Sequence, residues 1–255
     1  LPLHSSCSSL QVGTLVVLVK IYENDVIRFV TGCFYDAQYP DDQLFTNQTP
    51  LAVKDHSLSM ERGNPLKIVN ILGSPRKNGT SARIARAFAE TAAAYGAEVA
   101  DYPLNQMHYR GCQGCEGCHT RSDRCVLLDD VTPVLEAIYH ADIVLFSSPI
   151  YFGDTCGQFK SFYDRMWSLI NTDPANDAEN SSRLPPGKIA VLILTHVERA
   201  GAYNDVVDRY TTYLELYGFE VRTLTAGGLR LQSNADIDQY LGVADGLARE
   251  LIRGV

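Results

Sequence analysis

From about Leu66 onward, short apolar runs alternate with segments of helical periodicity, and this alternation constrains the fold more than any other feature of the chain. Leu66–Leu72 (LKIVNIL) is too short for a helix and rich in branched residues, which predicts a buried strand. It ends at Gly73, and Thr80 or Ser81 is expected to cap the following helix, in which Ile84, Phe88, Ala92 and Tyr95 recur at helical spacing until Gly96. The pattern then repeats. Further strands are expected at Glu98–Pro103, Ile143–Ser148, Lys188–Thr195 and Phe219–Leu224. A helix capped by Asp129 or Asp130 carries Val131, Val134, Leu135 and Ile138 on one face, and others are expected over Gln158–Ile170, Tyr203–Tyr217 and Asp236–Leu251.

Five strands that alternate with helices build a parallel sheet covered on both faces, because each parallel connection must cross over. Ligands of such open sheets sit at the C-terminal ends of the strands, so the functional loops should follow Leu72, Pro103, Ser148 and Thr195. Residues 1–63 do not join the pattern. Leu15–Ile21 and Val26–Phe29 suggest a hairpin there, and the expected organisation is an N-terminal extension over 1–63 followed by one domain over 64–255.

Composition narrows the function classes. With 255 residues, 45% of them hydrophobic, the chain can bury a full core and lacks the composition of a disordered protein. The net charge of -8 argues against a general affinity for nucleic acid or an anionic membrane. The apolar stretch Leu15–Val19 is too short to span a bilayer and lacks a preceding basic segment, so a cytoplasmic location is the default. The chain begins with Leu1 rather than Met, which leaves the true N-terminus open. Of seven cysteines, Cys112, Cys115, Cys118 and Cys125 crowd into one loop, whereas Cys7, Cys33 and Cys156 are scattered. Clustering of that kind points to a reducing compartment and a metal or redox site rather than a disulfide scaffold.

Gly73-Ser74-Pro75-Arg76-Lys77-Asn78-Gly79-Thr80-Ser81 lies between a strand and a helix N-terminus, where unpaired backbone N–H groups and the helix dipole favour an anion. Ser74, Asn78, Thr80 and Ser81 add neutral donors and Arg76 adds charge. A Walker A loop would need a lysine after the second glycine, and the dinucleotide fingerprint G-x-G-x-x-G is absent. Asp101, at the end of the second strand, is a weak ribose ligand without those glycines. A hydroxyl-rich loop at one helix terminus instead suits a single terminal phosphate, such as that of FMN.

This loop resembles the phosphate loop of the NADPH-dependent FMN reductases and iron–sulfur flavoproteins, within the flavodoxin-like superfamily. The resemblance continues at Ser148-Pro149-Ile150-Tyr151-Phe152-Gly153, at Gly157-Gln158-Phe159-Lys160 and at Asp164-Arg165, and covers roughly residues 66–252. It implies a doubly wound sheet of strand order 2-1-3-4-5. It also implies that Ser74, Arg76, Asn78, Thr80 and Ser81 bind the FMN phosphate, and that Pro149, Ile150, Tyr151, Phe152 and Gly153 line the isoalloxazine ring. The loop from Thr195 to Gly201 should approach the ring from another side. There His196 is a possible proton donor to reduced flavin, although a lone loop histidine is more often a structural hydrogen-bonding group and flavin chemistry scarcely needs a protein acid. The family commonly forms dimers or larger assemblies, so a homodimer or homotetramer is expected.

The cysteines follow C-x2-C-x2-C-x6-C, and Gly111, Gly114 and Gly117 permit the tight turns needed to bring three thiolates together. The spacing resembles that of ferredoxin-type clusters and of the cluster loop of iron–sulfur flavoproteins. Three readings stay open at this point: a 4Fe–4S cluster, a zinc ion, or free thiols. Cys156 reads as a packing residue. The expected function is an FMN-dependent oxidoreductase that takes electrons from NAD(P)H and reduces a flavin, quinone or other small acceptor. The alternatives are an iron–sulfur flavoprotein that exchanges electrons with a ferredoxin-like partner, and a non-enzymatic flavin-binding redox sensor.

Overall fold

A computed structural model of the chain describes residues 64–172, 182–229 and 235–254, excluding the side chains of 235 and 236. The expected extension over 1–63, with its hairpin, Cys7 and Cys33, lies outside the described residues. The strands are β1 (Lys67–Leu72), β2 (Glu98–Pro103), β3 (Ile143–Tyr151), β4 (Asp154–Thr155), β5 (Ile189–Thr195) and β6 (Glu220–Ala226). The helices are α1 (Thr80–Ala94), α2 (Gly117–Thr120), α3 (Thr132–His140), α4 (Gly157–Tyr163), α5 (Asn204–Leu216) and α6 (Ala235–Gly254).

The long strands pair in parallel in the order β2-β1-β3-β5-β6. These are the five expected strands in their expected places. The sequence reading omitted β4, a two-residue strand antiparallel to the end of β3, so the numbered order becomes 2-1-3-5-6. Because both faces of the sheet are covered, its central strands are apolar at nearly every position. Val144 and Phe146 of β3 enter the core formed with α3, α4 and α5, whereas Ile143 and Leu145 enter the core formed with α1 and α6.

Helix boundaries differ from expectation in instructive ways. Gly79, not Thr80 or Ser81, is the N-cap of α1, and no side chain caps that end. Val131 rather than an aspartate occupies the N-cap of α3. The expected helix Gln158–Ile170 is α-helical only to Tyr163 and continues as a 3-10 helix over Asp164–Leu169. Three residues per turn place side chains in rows at i and i+3. Phe162, Arg165 and Ser168 form one buried row and Tyr163, Met166 and Leu169 another, which turns Trp167 outward to 40% exposure. A buried arginine is the consequence.

Candidate functional site

The loop after β1 is built by close approach of its backbone. Gly73 N–H donates to the Ser147 carbonyl of β3 at 2.8 Å, and a Cβ on Gly73 would meet that same oxygen at 2.7 Å. At Gly79 a Cβ would come within 2.3 Å of Ser74 Oγ. That hydroxyl in turn accepts the Arg76 backbone N–H at 3.2 Å. The two glycines therefore keep the loop folded onto the sheet and onto itself.

The helix end that this loop presents is chemically unfinished. α1 has no side-chain cap and no acidic residue in its first turn, so the partial positive charge of its N-terminus is left unbalanced. Ser81 Oγ is buried and has no hydrogen-bond partner among the described residues. Burying a hydroxyl without a partner is unfavourable, and an uncapped helix end of this kind favours an anion. Beside the loop lies a solvent-open recess of about 470 Å³ lined by Ser74, Arg76, Lys77, Arg86 and, from the β2 side, Pro103 and Asn105. Asn105 Nδ2 donates to the Pro75 carbonyl at 3.2 Å, fixing that wall. Of the predicted phosphate ligands, Ser74 and Arg76 line this recess, whereas Asn78, Thr80 and Ser81 do not. Lys77, Arg86 and Asn105 were not anticipated. Asp101 is engaged elsewhere, accepting from Asn70 Nδ2 at 2.9 Å.

The second predicted loop, Pro149–Gly153, leaves the sheet one strand away. Tyr151 pairs with Asp154, and the two residues between them, Phe152 and Gly153, have φ of 51° and 88°. Positive φ at both centres is the type I′ pattern of two-residue hairpins, in which asparagine or glycine is usual and a bulky residue is strained. Tyr210 anchors the hairpin by donating to Asp154 Oδ1 at 3.0 Å. Pro149 and Ile150 are buried, whereas Tyr151 is half-exposed and Phe152 wholly exposed. Cys156 joins the two loops: its Sγ donates to the Gly73 carbonyl at 2.9 Å, and its N–H to Ser148 Oγ at 3.1 Å. The expectation of a packing residue understated its role. The phosphate-side recess does not extend to the Pro149–Gly153 hairpin.

Thr195 closes β5 and is buried. His196, next along, is also buried, its ring edge-on to Tyr203, and neither nitrogen makes a hydrogen bond of good geometry among the described residues. A Cβ on Gly227 would meet His196 Cε1 at 2.6 Å. Burial pushes the imidazole below its ordinary value, and nearby Glu198 offsets only part of this, so the site favours the neutral ring.

All four clustered cysteines line a second recess, together with Arg165 and Trp167. Cys112 and Cys115 are exposed, Cys118 is buried and Cys125 is intermediate. Burial pushes the Cys118 thiol up, and neighbouring Cys125 adds to the shift. The turn into α2 needs a close approach: a Cβ on Gly117 would meet Val126 Cγ2 and Arg121 Nη2 at 2.7 Å. Among the described residues no three His, Cys, Asp or Glu side chains converge closely enough to hold a single metal ion.

Two arginines from distant segments hold this loop, and no residue pattern near either one signals that role. Arg165 pairs with Asp129 at 2.7 Å, with its side chain 0% exposed. It also donates to the carbonyls of Arg110 and Leu127 and to Cys125 Sγ. Burial pushes the Asp129 carboxyl up, but the hydrogen bonds from Arg165 and from the Arg110 N–H outweigh this and hold it below the usual range. Arg183 donates to the carbonyls of Cys118, Asp123 and Ser168. Asp129, expected as a helix cap, accepts the Val131 N–H at the start of α3 through Oδ1 and is also the counter-ion of Arg165.

Among the described residues no helix is long and apolar enough to cross a membrane. The fold is similar to that of an NAD(P)H:quinone oxidoreductase from Methanothermobacter marburgensis, with TM-score 0.59 at 16% identity over 74% of this chain and 98% of that one. It is also similar to an FMN-dependent NADH-azoreductase from Bacillus anthracis, with TM-score 0.59 at 12% identity over 73% and 99%. In sequence, the chain is 32% identical over 104 residues to an iron–sulfur flavoprotein of Methanocaldococcus jannaschii, covering 41% of this chain and 53% of that protein. An iron–sulfur flavoprotein of Archaeoglobus fulgidus is 33% identical over 101 residues, covering 40% and 46%. The chain thus spans about half the length of the curated relatives it matches. The sequence model of the NADPH-dependent FMN reductases matches residues 66–223, well over half the chain and including all four loops described above. The chain therefore belongs to the NADPH-dependent FMN reductase family.

Proposed function

We propose that the chain is an FMN-dependent oxidoreductase that draws electrons from NAD(P)H and delivers them to a flavin, quinone or other small acceptor. The observation that carries this reading is the unfinished N-terminus of α1, uncapped, without acidic neighbours and with the Ser81 hydroxyl buried and unpartnered. FMN would supply hydride acceptance and onward electron delivery when bound. The residues of the chain bind and orient it. Ser74, Asn78, Thr80, Ser81 and the backbone of the loop would donate to the phosphate, and Arg76 would balance its charge. Pro149, Ile150, Tyr151, Phe152, Gly153 and Thr195 would flank the ring, with the Cys156 hydrogen bonds keeping the two loops in register. A neutral His196 could at most donate one N–H, so its place is in the wall of the site rather than as an acid.

A second reading rests on the cysteine recess. Zinc requires four sulfurs about 2.3 Å from one centre, and the cysteines do not converge on a point. A 4Fe–4S cluster is held at its separate irons, so its ligands need only surround it, as Cys112, Cys115, Cys118 and Cys125 surround this recess. The names of the relatives agree with that choice. In this form the protein would exchange electrons with a ferredoxin-like partner. Steady-state kinetics on anaerobically purified protein test both readings. Rapid NAD(P)H oxidation with an added quinone or flavin supports the reductase. Reduction only by ferredoxin or dithionite supports the electron carrier, and flavin binding without turnover in either assay supports a sensor and contradicts both.

A further inference from the structure

Arg165 makes more hydrogen bonds than anchoring the cysteine loop requires. Its Nη1 donates to Asp129 Oδ2 at 2.7 Å and to the Arg110 carbonyl at 2.9 Å, and its Nη2 donates to the Leu127 carbonyl at 3.1 Å. These contacts bracket the cysteines from both sides, and Asp129 balances the charge. The Nε–H is not used for that purpose; it points at Cys125 Sγ, 3.1 Å away. Arg183, the other guanidinium on the loop, donates to carbonyls of Cys118, Asp123 and Ser168 and to His119 Nδ1, and to no sulfur in the contacts of the described residues. The two arginines therefore differ in kind. One holds backbone and the His119 ring; the other holds backbone, Asp129 and a cysteine sulfur.

We propose that Arg165 is a positioning residue that, by donating from Nε to Cys125 Sγ, sets the reduction potential of the cluster held by the four cysteines; this rests on the cluster reading above. An N–H donor on a ligand sulfur withdraws charge from it and so favours the more negative, reduced cluster, which raises the potential. The guanidinium side chain is 0% exposed, so water cannot replace that hydrogen bond and its effect is larger than at a surface. Position in the fold explains why this arginine can do it. The 3-10 winding after α4 places residue 165 in the buried i, i+3 row with Phe162 and Ser168, facing the loop.

The test is an EPR-monitored dithionite titration of the full chain, anaerobically reconstituted with iron, sulfide and FMN, beside the Arg165→Lys variant. Lysine keeps the charge for Asp129 but has no Nε–H fork to reach the sulfur. At a fixed ambient potential, the ratio of reduced to oxidised cluster should fall about tenfold in the variant, which for a one-electron couple is about 59 mV. The FMN potential and the iron and sulfide per chain should not change. Equal iron content with an unmoved cluster potential overturns the proposal and leaves Arg165 a structural clamp. Failure of the wild-type chain to take up iron and sulfide overturns the cluster reading and the proposal with it, and the iron count tells the two failures apart. Should the lysine variant not fold, wild-type protein grown with guanidino-15N arginine decides the question. A 15N hyperfine coupling at the reduced cluster is expected, and its absence overturns the proposal.

Discussion

The loops that follow β1 and β2 leave neighbouring strands of the same sheet edge, yet they are organised by opposite means. The loop after β1 is organised from within. Gly73 and Gly79 allow the backbone to approach the sheet and Ser74, and the donors it offers belong to residues of the same short stretch. The loop after β2 is organised from outside, by Arg165 and Arg183, which lie 40 and 65 residues beyond the cysteine-loop atoms they hold at Cys125 and Cys118. A local design offers backbone N–H groups and hydroxyls from one short stretch. A remote design fixes the cysteine loop with arginines from distant segments.

The contrast predicts different kinds of damage. The largest effect should come from Arg165→Ala, which removes the guanidinium that Asp129 and the part-buried Arg110 and Leu127 carbonyls pair with. Breaking one side of a buried pair costs about 3–5 kcal/mol, so the urea midpoint should fall strongly. A loss below about 1 kcal/mol would make the loop self-supporting and erase the contrast. In the loop after β1, Arg76→Ala combined with Thr80→Ala should leave the urea midpoint nearly unchanged. It should weaken FMN binding by about 2–4 kcal/mol, the value of one charge-assisted and one neutral hydrogen bond. Unchanged FMN affinity in that double variant would sink the phosphate assignment. Gly79→Ala should come next. The added Cβ must displace Ser74 Oγ, costing about 1–3 kcal/mol as overpacking does, with a parallel loss of FMN affinity.

The smallest effect expected concerns pH and His196. Its folded value lies below the unfolded value of about 6.5, so the unfolded chain takes up a proton first as pH falls. The stability contributed by the neutral buried ring is therefore complete above about 6.5 and is lost as pH drops below it toward the folded value. His196→Gln should flatten the stability profile between pH 7.5 and 5.5 without touching the loop after β2. An identical profile in both proteins would mean that the ring is solvated in solution.

The same contrast explains what could be read in the sequence. The strands were legible because burial on both faces demands unbroken apolar runs, as in Ile143–Phe146 and Ile189–Leu194. The loop after β1 was legible because its glycines, hydroxyls and arginine are contiguous. Three features were not. The β4 hairpin rests on Phe152 at φ 51°, a residue no turn rule favours, held there by Tyr210 of α5. The change from α to 3-10 winding after Tyr163 keeps two rows of side chains buried at a spacing that helical periodicity does not anticipate. Arg165 stood out only through the family resemblance at Asp164-Arg165 and Arg183 not at all, because their partners are dozens of residues away. Long-range polar contacts leave no local pattern.

The most direct test of the account is calorimetric titration of the flavin-free protein with FMN and, separately, with riboflavin, which lacks only the phosphate. If the N-terminus of α1 and Arg76 bind the phosphate, FMN should bind at least about 100-fold more tightly, the worth of one or two charge-assisted hydrogen bonds. Equal affinity for the two flavins, or no binding of FMN at all, would contradict it.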